Sequence, residues 1–334
     1  MRAPDPARPQ AADALADRAL GAYLGLALGD ALGATVEFMT PREIAAAHGV
    51  HRRIVGAGWL KLAPGQVTDD TTMSLALGQA IVDARGWDLA RVADAFVAWL
   101  RGKPVDCGNT CRRGIRRYMN DGSLVSVPSE GDAGNGALMR NLPVVLATLG
   151  DAAAFEAWSL EQARFTHHHP LSDAATLALG RIARALLAGA HTDACRAIAA
   201  SAVEQCPRLR FEPYPGRATG YVVDTVQTVL HFFFAHEDFE SAVVGAVNRG
   251  DDADTNGALV GMLAGARCGA RALPRHWLDR LDPVVRARVA VQTRALLAVA
   301  AARAGAGEAT TGVSDAGGAA AGEARTSPGD ARDG

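Results

Sequence analysis

Two acidic clusters carry the most concentrated chemistry in this chain. Thr68-Asp69-Asp70-Thr71 comes first, and Asp251-Asp252-Ala253-Asp254-Thr255-Asn256-Gly257 lies far downstream. Each gathers carboxylates and hydroxyls into a few residues and runs on into small apolar residues. Carboxylates so crowded repel one another unless a cation sits between them. Oxygen ligands, with no His or Cys inside either cluster, select a hard cation: Mg²⁺, Mn²⁺ or Ca²⁺ rather than zinc. The two clusters offer enough carboxylates for two ions. In bridged sites such ions stand roughly 3.5–4 Å apart, activate a shared water and can grip a vicinal diol. Each cluster alone also fits an acidic helix start, where a carboxylate caps free N–H groups and meets the positive end of the helix. One Asp is enough for that, and Asp69 and Asp70 between two threonines exceed the need. Asp252 and Asp254 reach one ion only if the backbone there is a loop, and Gly250 ahead of them fits a loop opening into a helix.

Three segments between the clusters are suited to a substrate. Gly134-Asn135-Gly136 precedes Met139 and Arg140. Glycine permits close approach of backbone to a ligand, and a helix start offers N–H groups to an anion. Thr166-His167-His168-His169-Pro170 is a histidine triplet at a helix end; adjacent side chains diverge, so one or two at most reach a common site. Asp106-Cys107-Gly108-Asn109-Thr110 offers polar groups at a glycine-containing helix start.

The elements that must position these residues read as helices. Leu20, Leu24, Leu28 and Leu32 form an i, i+4 stripe, and Met73, Leu77 and Ile81 another. Phe96 with Leu100, Leu177 with Ile182, Leu186 and Leu187, and Val222 with Val226, Val229 and Leu230 mark further helices. Alternating strand patterns are almost absent, so the expected fold is all-α. Asp151, Ser172 and Thr192 are expected N-caps, and Cys206 to Gly220 reads as a surface loop. Leu20 to Val36 is nearly uncharged, with Gly21, Gly25, Gly29 and Gly33 four apart. Asp30 interrupts it and Glu37 closes it, which argues against a membrane span and for a helix that lets a neighbour come close in a core. No linker divides residues 13–303, which are expected to form one domain. Residues 1–12 and the Gly/Ala-rich tail 304–334 are expected to be flexible, since they can bury too little apolar surface to offset their ordering entropy.

Of 334 residues, 49% are hydrophobic, enough for a large core, and the net charge of -2 gives no footprint for nucleic acid. The nearest basic patch, Arg112, Arg113, Arg116 and Arg117, fits a solvated helix face. Cys107, Cys111, Cys195, Cys206 and Cys268 make no disulfide framework and no zinc spacing, as expected of reduced thiols in a cytoplasmic protein. No secretory signal is evident at the N-terminus.

The order and joint presence of Glu37, Thr68-Asp69-Asp70-Thr71, Asp106 to Thr110, Gly134-Asn135-Gly136, Met139-Arg140, Thr166-His167 and Asp252 to Thr255 resembles the ADP-ribosylglycohydrolase family over nearly all of residues 13–290. Tyr221 to Thr225, the His231–Phe234 run and Asn248 to Thr255 bring it nearest the members that reactivate dinitrogenase reductase. Asp251 stands where many members have glycine, and no role follows for it.

The resemblance implies an all-α orthogonal helical bundle with a cleft for two divalent metal ions, Mn²⁺ or Mg²⁺. It implies Thr68, Asp69, Asp70, Asp252, Asp254 and Thr255 as metal ligands. Asn109, Gly134, Asn135, Gly136, Met139, His167 and Tyr221 would line an ADP-ribose pocket together with Asp106 and Glu37. The implied reaction is hydrolysis of the N-glycosidic bond between ADP-ribose and arginine, with an ADP-ribosylated protein, the nitrogenase iron protein, as target. Cleavage passes through an oxocarbenium-like state that carboxylates stabilise. The basic guanidine leaves protonated, and Asp106, with Glu37 next, is the expected acid/base. Control by a PII signalling protein and reversible membrane association through an ammonium channel are further implications. Two alternatives stay open: a serine-linked or O-acetyl conjugate as substrate, and a catalytically silent ADP-ribose binder.

Overall fold

Glycine every fourth residue leaves one stripe of a helix without side chains, so another helix can approach it backbone to backbone. The computed structural model of the protein, which describes residues 7–311, is built around such a pair. α1 (Ala7–Gly33) and α12 (Ala253–Cys268) run antiparallel through the centre. Gly21, Gly25, Gly29 and Gly33 face Gly265, Gly261, Gly257 and Ala253 in that order. A Cβ at Gly25 would lie 2.1 Å from the Gly261 carbonyl oxygen, and one at Gly29 2.0 Å from that of Gly257. Every residue of α12 from Ala253 to Ala266 is buried, as are Leu26, Leu28 and Leu32 of α1. A helix apolar all round belongs in a core or a bilayer. Here it is a core helix, and none of the described helices is long and apolar enough to cross a membrane.

The remaining helices wrap this pair. α3 (Asp69–Ala84), α8 (Pro170–Leu187) and α11 (Phe239–Val247) touch both members, and α10 (Val222–Ala235) packs on α12. α14 (Pro283–Thr311) lies across α1, α3 and the short α6 (Leu142–Ala147). A polar pin holds it: Tyr23 donates to Gln292 Oε1 (2.7 Å), and Gln292 Nε2 donates to the Leu75 carbonyl (2.9 Å). α4 (Leu89–Arg101) backs α3 and α5 (Asn109–Asp121) backs α4, while α7 (Ala152–Arg164) and α9 (Thr192–Gln205) flank α8. α2 (Pro41–His48) and α13 (Arg275–Leu278) are short connectors. No strand forms among the described residues, only isolated bridges at Ala57 with Leu62 and Gly134 with Tyr221.

The all-α expectation holds, and the expected helices at 20–32, 73–81, 177–187 and 222–230 are all present. Asp151 caps α7 by accepting from Ala154 N. Two cap expectations fail. Ser172 lies inside α8, because Pro170, with no N–H to lose, takes the first helical position and leaves His169 as the cap. Thr192 is the first residue of α9, behind the N-cap His191. The loop expected from Cys206 to Gly220 contains one 3₁₀ turn, Pro207–Leu209. Of the segments expected to be flexible, residues 1–6 and 312–334 lie outside the described residues, while 7–12 and 304–311 belong to α1 and α14. All five cysteines are free thiols.

Candidate active site

The first turn of a helix has free N–H groups that something must satisfy. At Asp88, Asp151 and Asp238 the residue's own N-cap carboxylate does so. Thr68 and Asp252 occupy the N-cap positions of α3 and α12, yet neither side chain caps its helix. For α3 the cap comes from another helix. Asp30, fully buried on α1, accepts from Thr68 N (2.9 Å), Thr71 N (3.1 Å) and Thr71 Oγ1 (2.5 Å). Asp69 and Asp70, at the first two helical positions, are thereby released from capping. The simple helix-start explanation of this cluster is therefore insufficient.

The glycine seam brings the second cluster to the first. Glu37 follows α1, and Gly33 abuts Ala253, so Glu37 comes to rest beside the start of α12. Carboxylate oxygens of Glu37, Asp252 and Asp254 lie within 4.8 Å of one another. Thr255 Oγ1 donates to Asp70 Oδ2 (3.2 Å), tying α12 to α3, and Thr68 Oγ1 lies 3.4 Å from the same oxygen. Asp70 Oδ1 is buried with no hydrogen-bond partner. Such an orphan acceptor among packed carboxylates fits a hard cation, which supplies the missing positive charge. The donor set, all carboxylate and hydroxyl oxygen, suits a hard divalent cation.

Burial is the largest cause of perturbed acidity here. It pushes Asp30 up to about 6, Asp69 to about 7 and Glu37 to about 8, with neighbouring carboxylates adding to the last two. Asp252 is raised, and Asp70 and Asp254 are raised well above the usual carboxylate range. A carboxyl group whose pKa rises on folding stabilises the fold by holding its proton. That contribution is complete below the unfolded value near 4 and is lost as pH climbs through the folded values of about 6 to 8. The metal-free protein is thus expected to lose thermal stability between about pH 5 and about pH 8.5. Mn²⁺ should restore more of it at the upper end, where no proton need be displaced. Calorimetric scans with chelator and with Mn²⁺ at both pH values check this, and an equal metal-induced rise in Tm at both would contradict it.

These carboxylates form one wall of a cavity of about 590 Å³. Asp69, Asp252, Asp254 and Thr255 line it, as do Glu37 and Asp106. Thr68 and Asp70 stand just behind. Trp59 Nε1 donates to Glu37 Oε2 (2.7 Å), fixing that carboxyl group. Gly108 N, at the N-cap of α5, donates to Asp69 Oδ2 (3.1 Å). The Asp106 carboxylate has no protein hydrogen bond among the described residues, and it faces the cavity half-buried. Asn109 opens α5 on the same wall.

Gly134, Asn135, Gly136, Met139 and His167 also line the cavity. Asn135 Nδ2 donates to Asp252 Oδ2 (2.6 Å) and Thr225 Oγ1 (3.0 Å), so this Asn orients a carboxylate. The two glycines make room for a ring. A Cβ at Gly134 would stand 3.2 Å from His167 Nε2, and one at Gly136 2.8 Å from His167 Cε1 and from Cys111 Sγ. The expected anion-binding helix start is not at this loop, since α6 begins only at Leu142. Fully buried Arg140 donates to Thr166 Oγ1 (2.8 Å), and that hydroxyl lies 2.7 Å from His167 Nδ1. Donation from Thr166 to Nδ1 would place the imidazole proton at Nε2, toward the cavity. Burial, then Arg140 and Arg113, hold His167 well below the usual histidine range, so it is a neutral donor. His169 instead caps α8, and His168 bonds the Ser126 carbonyl.

The ADP-ribosylglycohydrolase family model matches residues 11–309. The chain belongs to the ADP-ribosylglycohydrolase family. It is 56% identical over 284 residues to the ADP-ribosyl-[dinitrogen reductase] glycohydrolase of Rhodospirillum rubrum, spanning 85% of this chain and 97% of that protein. It is 33% identical over 284 residues to an ADP-ribosylarginine hydrolase of Serratia proteamaculans, spanning 79% of this chain and 75% of that one. A solved structure described as an ADP-ribosylglycohydrolase-related protein complex superposes with a TM-score of 0.77 at 35% identity, covering 86% of this chain and 99% of that chain.

One residue expected in the substrate pocket of this glycohydrolase lies elsewhere. Tyr221 is the N-cap of α10; its backbone pairs with Gly134, while its hydroxyl turns outward to accept from Arg208 Nη1 (3.3 Å). It is absent from the cavity wall. Sequence reasoning also missed residues that matter to the glycohydrolase cleft. In the sequence Asp30 shows only as a break in an apolar helix, and a lone carboxylate there is itself a signal that it must be paired inside. Phe38 and Trp59 at the cavity mouth gave none, because neither belongs to a polar cluster.

Proposed function

We propose that the protein removes ADP-ribose from an ADP-ribosylated arginine of dinitrogen reductase, with two divalent cations as cofactors. The observation that carries the reading is the 56% identity, over 97% of its length, to a hydrolase of that name. The enzyme is a hydrolase of the N-glycosidic bond. Thr68, Asp69, Asp70, Asp252, Asp254 and Thr255 would hold the ions, and the trio with Asp252 and Asp254 adds Glu37 to that set. Bound there, two ions would supply positive charge to water and to the ribose hydroxyls.

The protein's own groups do the rest. Asn135 and the Gly108 N–H hold Asp252 and Asp69 in orientation. His167 offers Nε2–H to the nucleotide portion. The crowded carboxylates face the positive charge that grows at the anomeric carbon. Asp106, unencumbered on the cavity wall, takes a proton from the attacking water, which leaves Glu37 to ligand duty beside Trp59. The guanidine takes up the proton that Asp106 has drawn from the water and so departs as its conjugate acid, since its pKa lies far above neutral.

Release of free ADP-ribose from defined conjugates tests the assignment. Arginine-linked ADP-ribose with Mn²⁺ should be cleaved and the same mixture with chelator should not. Preferential cleavage of serine-linked ADP-ribose would place the enzyme on a different bond.

A further inference from the structure

Phe38 and Trp59 are 65% and 51% exposed, large aromatic surfaces to leave in water. Their ring centroids are 5.3 Å apart with planes inclined at 48°, and both line the cavity together with Asp251. Trp59 is tied at its edge, by the bond from Nε1 to Glu37, and about half of its surface stays exposed. Phe38 and Asp251 both have left-handed backbone, at φ 63° and 51°, which glycine adopts without strain and other residues do not. Two bonds lock them together: Phe38 N donates to the Asp251 carbonyl (2.6 Å) and Asp251 N to the Met39 carbonyl (2.9 Å). The fold thus holds a ring and an exposed carboxylate side by side, in a costly conformation, at the mouth of the cavity.

We propose that Phe38, Trp59 and Asp251 form a subsite for the leaving group, a planar guanidinium cation. This rests on the arginine-linked substrate proposed above. Glu37, Asp252 and Asp254 mark where the bond breaks, and Trp59 touches Glu37, so the departing side chain passes along this aromatic wall. A guanidinium lies flat on an aromatic face and is attracted by its π electrons. The Asp251 carboxylate can accept its forked N–H donors. A neutral alcohol leaving group gains neither contact, so the subsite favours arginine over serine linkage.

Phe38→Gly and Asp251→Gly remove the side chains at positions where glycine relieves the backbone, and Asp251→Asn removes the charge alone. Kinetics on small ADP-ribosyl-arginine, inhibition by ADP-ribose, and calorimetric binding of agmatine are measured for each. KM should rise and agmatine binding weaken by about tenfold, the size of one partly desolvated cation–π contact or charged pair. Inhibition by ADP-ribose should not change. Parallel weakening of ADP-ribose inhibition would overturn the proposal, because the rings would then be serving the adenine or the whole cleft. Unchanged KM and agmatine binding would overturn it too. A wild-type enzyme that binds agmatine but leaves the conjugate intact would instead overturn the arginine-directed function and keep the subsite.

Discussion

Asp252→Ala and Asp69→Ala are each expected to lower turnover by about three orders of magnitude, the several kcal/mol that one well-placed ion supplies. The loss should come without unfolding. Burial first, and the Asp106 carboxylate after it, raise the pKa of each carboxylate, so removing one relieves an unfavourable buried charge in the metal-free protein. Its Tm in chelator should therefore hold or rise. The rise in Tm that Mn²⁺ gives the wild type should disappear. Asp69→Ala also leaves the Gly108 N–H bare, and Asp252→Ala takes from Asn135 one of its two acceptors, so small structural costs are expected beside the larger catalytic one. Near-normal turnover in either variant, with the metal-induced shift intact, would remove that residue from the ligand set.

The second large effect is on stability. Gly29→Ala is expected to cost about 3–5 kcal/mol, a large share of the 5–15 kcal/mol that holds a typical domain together. In an isolated helix the same change would gain about 1 kcal/mol of propensity. Here the new Cβ would sit 2.0 Å from the Gly257 oxygen and 2.3 Å from its carbonyl carbon. Those are backbone atoms and cannot swing aside, so α1 and α12 must separate along their length. Glu37 rides at the end of one helix and Asp252 at the start of the other. Activity should therefore fall even where the variant remains folded. Gly86→Ala, with nothing within 4 Å of its Cβ, is the control. Urea midpoints measured side by side give the answer, and equal midpoints for the two variants would contradict the glycine seam.

The seam shows how much of this molecule can be read from one dimension. Four glycines at i, i+4 spacing announced a close helix contact, and that contact exists. Their partners Gly257, Gly261 and Gly265 carry the same spacing, but it was hidden behind the acidic residues that introduce α12. The two acidic clusters suggested a shared site, and the Asp70–Thr255 bond joins them. Asp30 was harder, because its role is to cap a helix remote in sequence, and only the tertiary fold brings it there. Gly134 and Gly136 read as a ligand cradle; they line the cavity and also leave room for the His167 ring. Tyr221 stands beside the cavity, with its backbone paired to Gly134 and its hydroxyl at Arg208. Phe38 and Trp59 belong to no cluster, and their importance comes from being exposed at one mouth. PII control and docking on an ammonium channel are implied by the resemblance alone.

The most direct measurement is on the modified protein itself. Dinitrogen reductase carrying ADP-ribose on arginine is incubated with the enzyme and Mn²⁺, and both products are followed by mass spectrometry. The account predicts intact ADP-ribose in solution, an unmodified arginine, recovered reductase activity, and none of these with Asp252→Ala. Release of AMP or phosphate with ribose left on the arginine would contradict it. So would tight retention of the modified protein with no release at all.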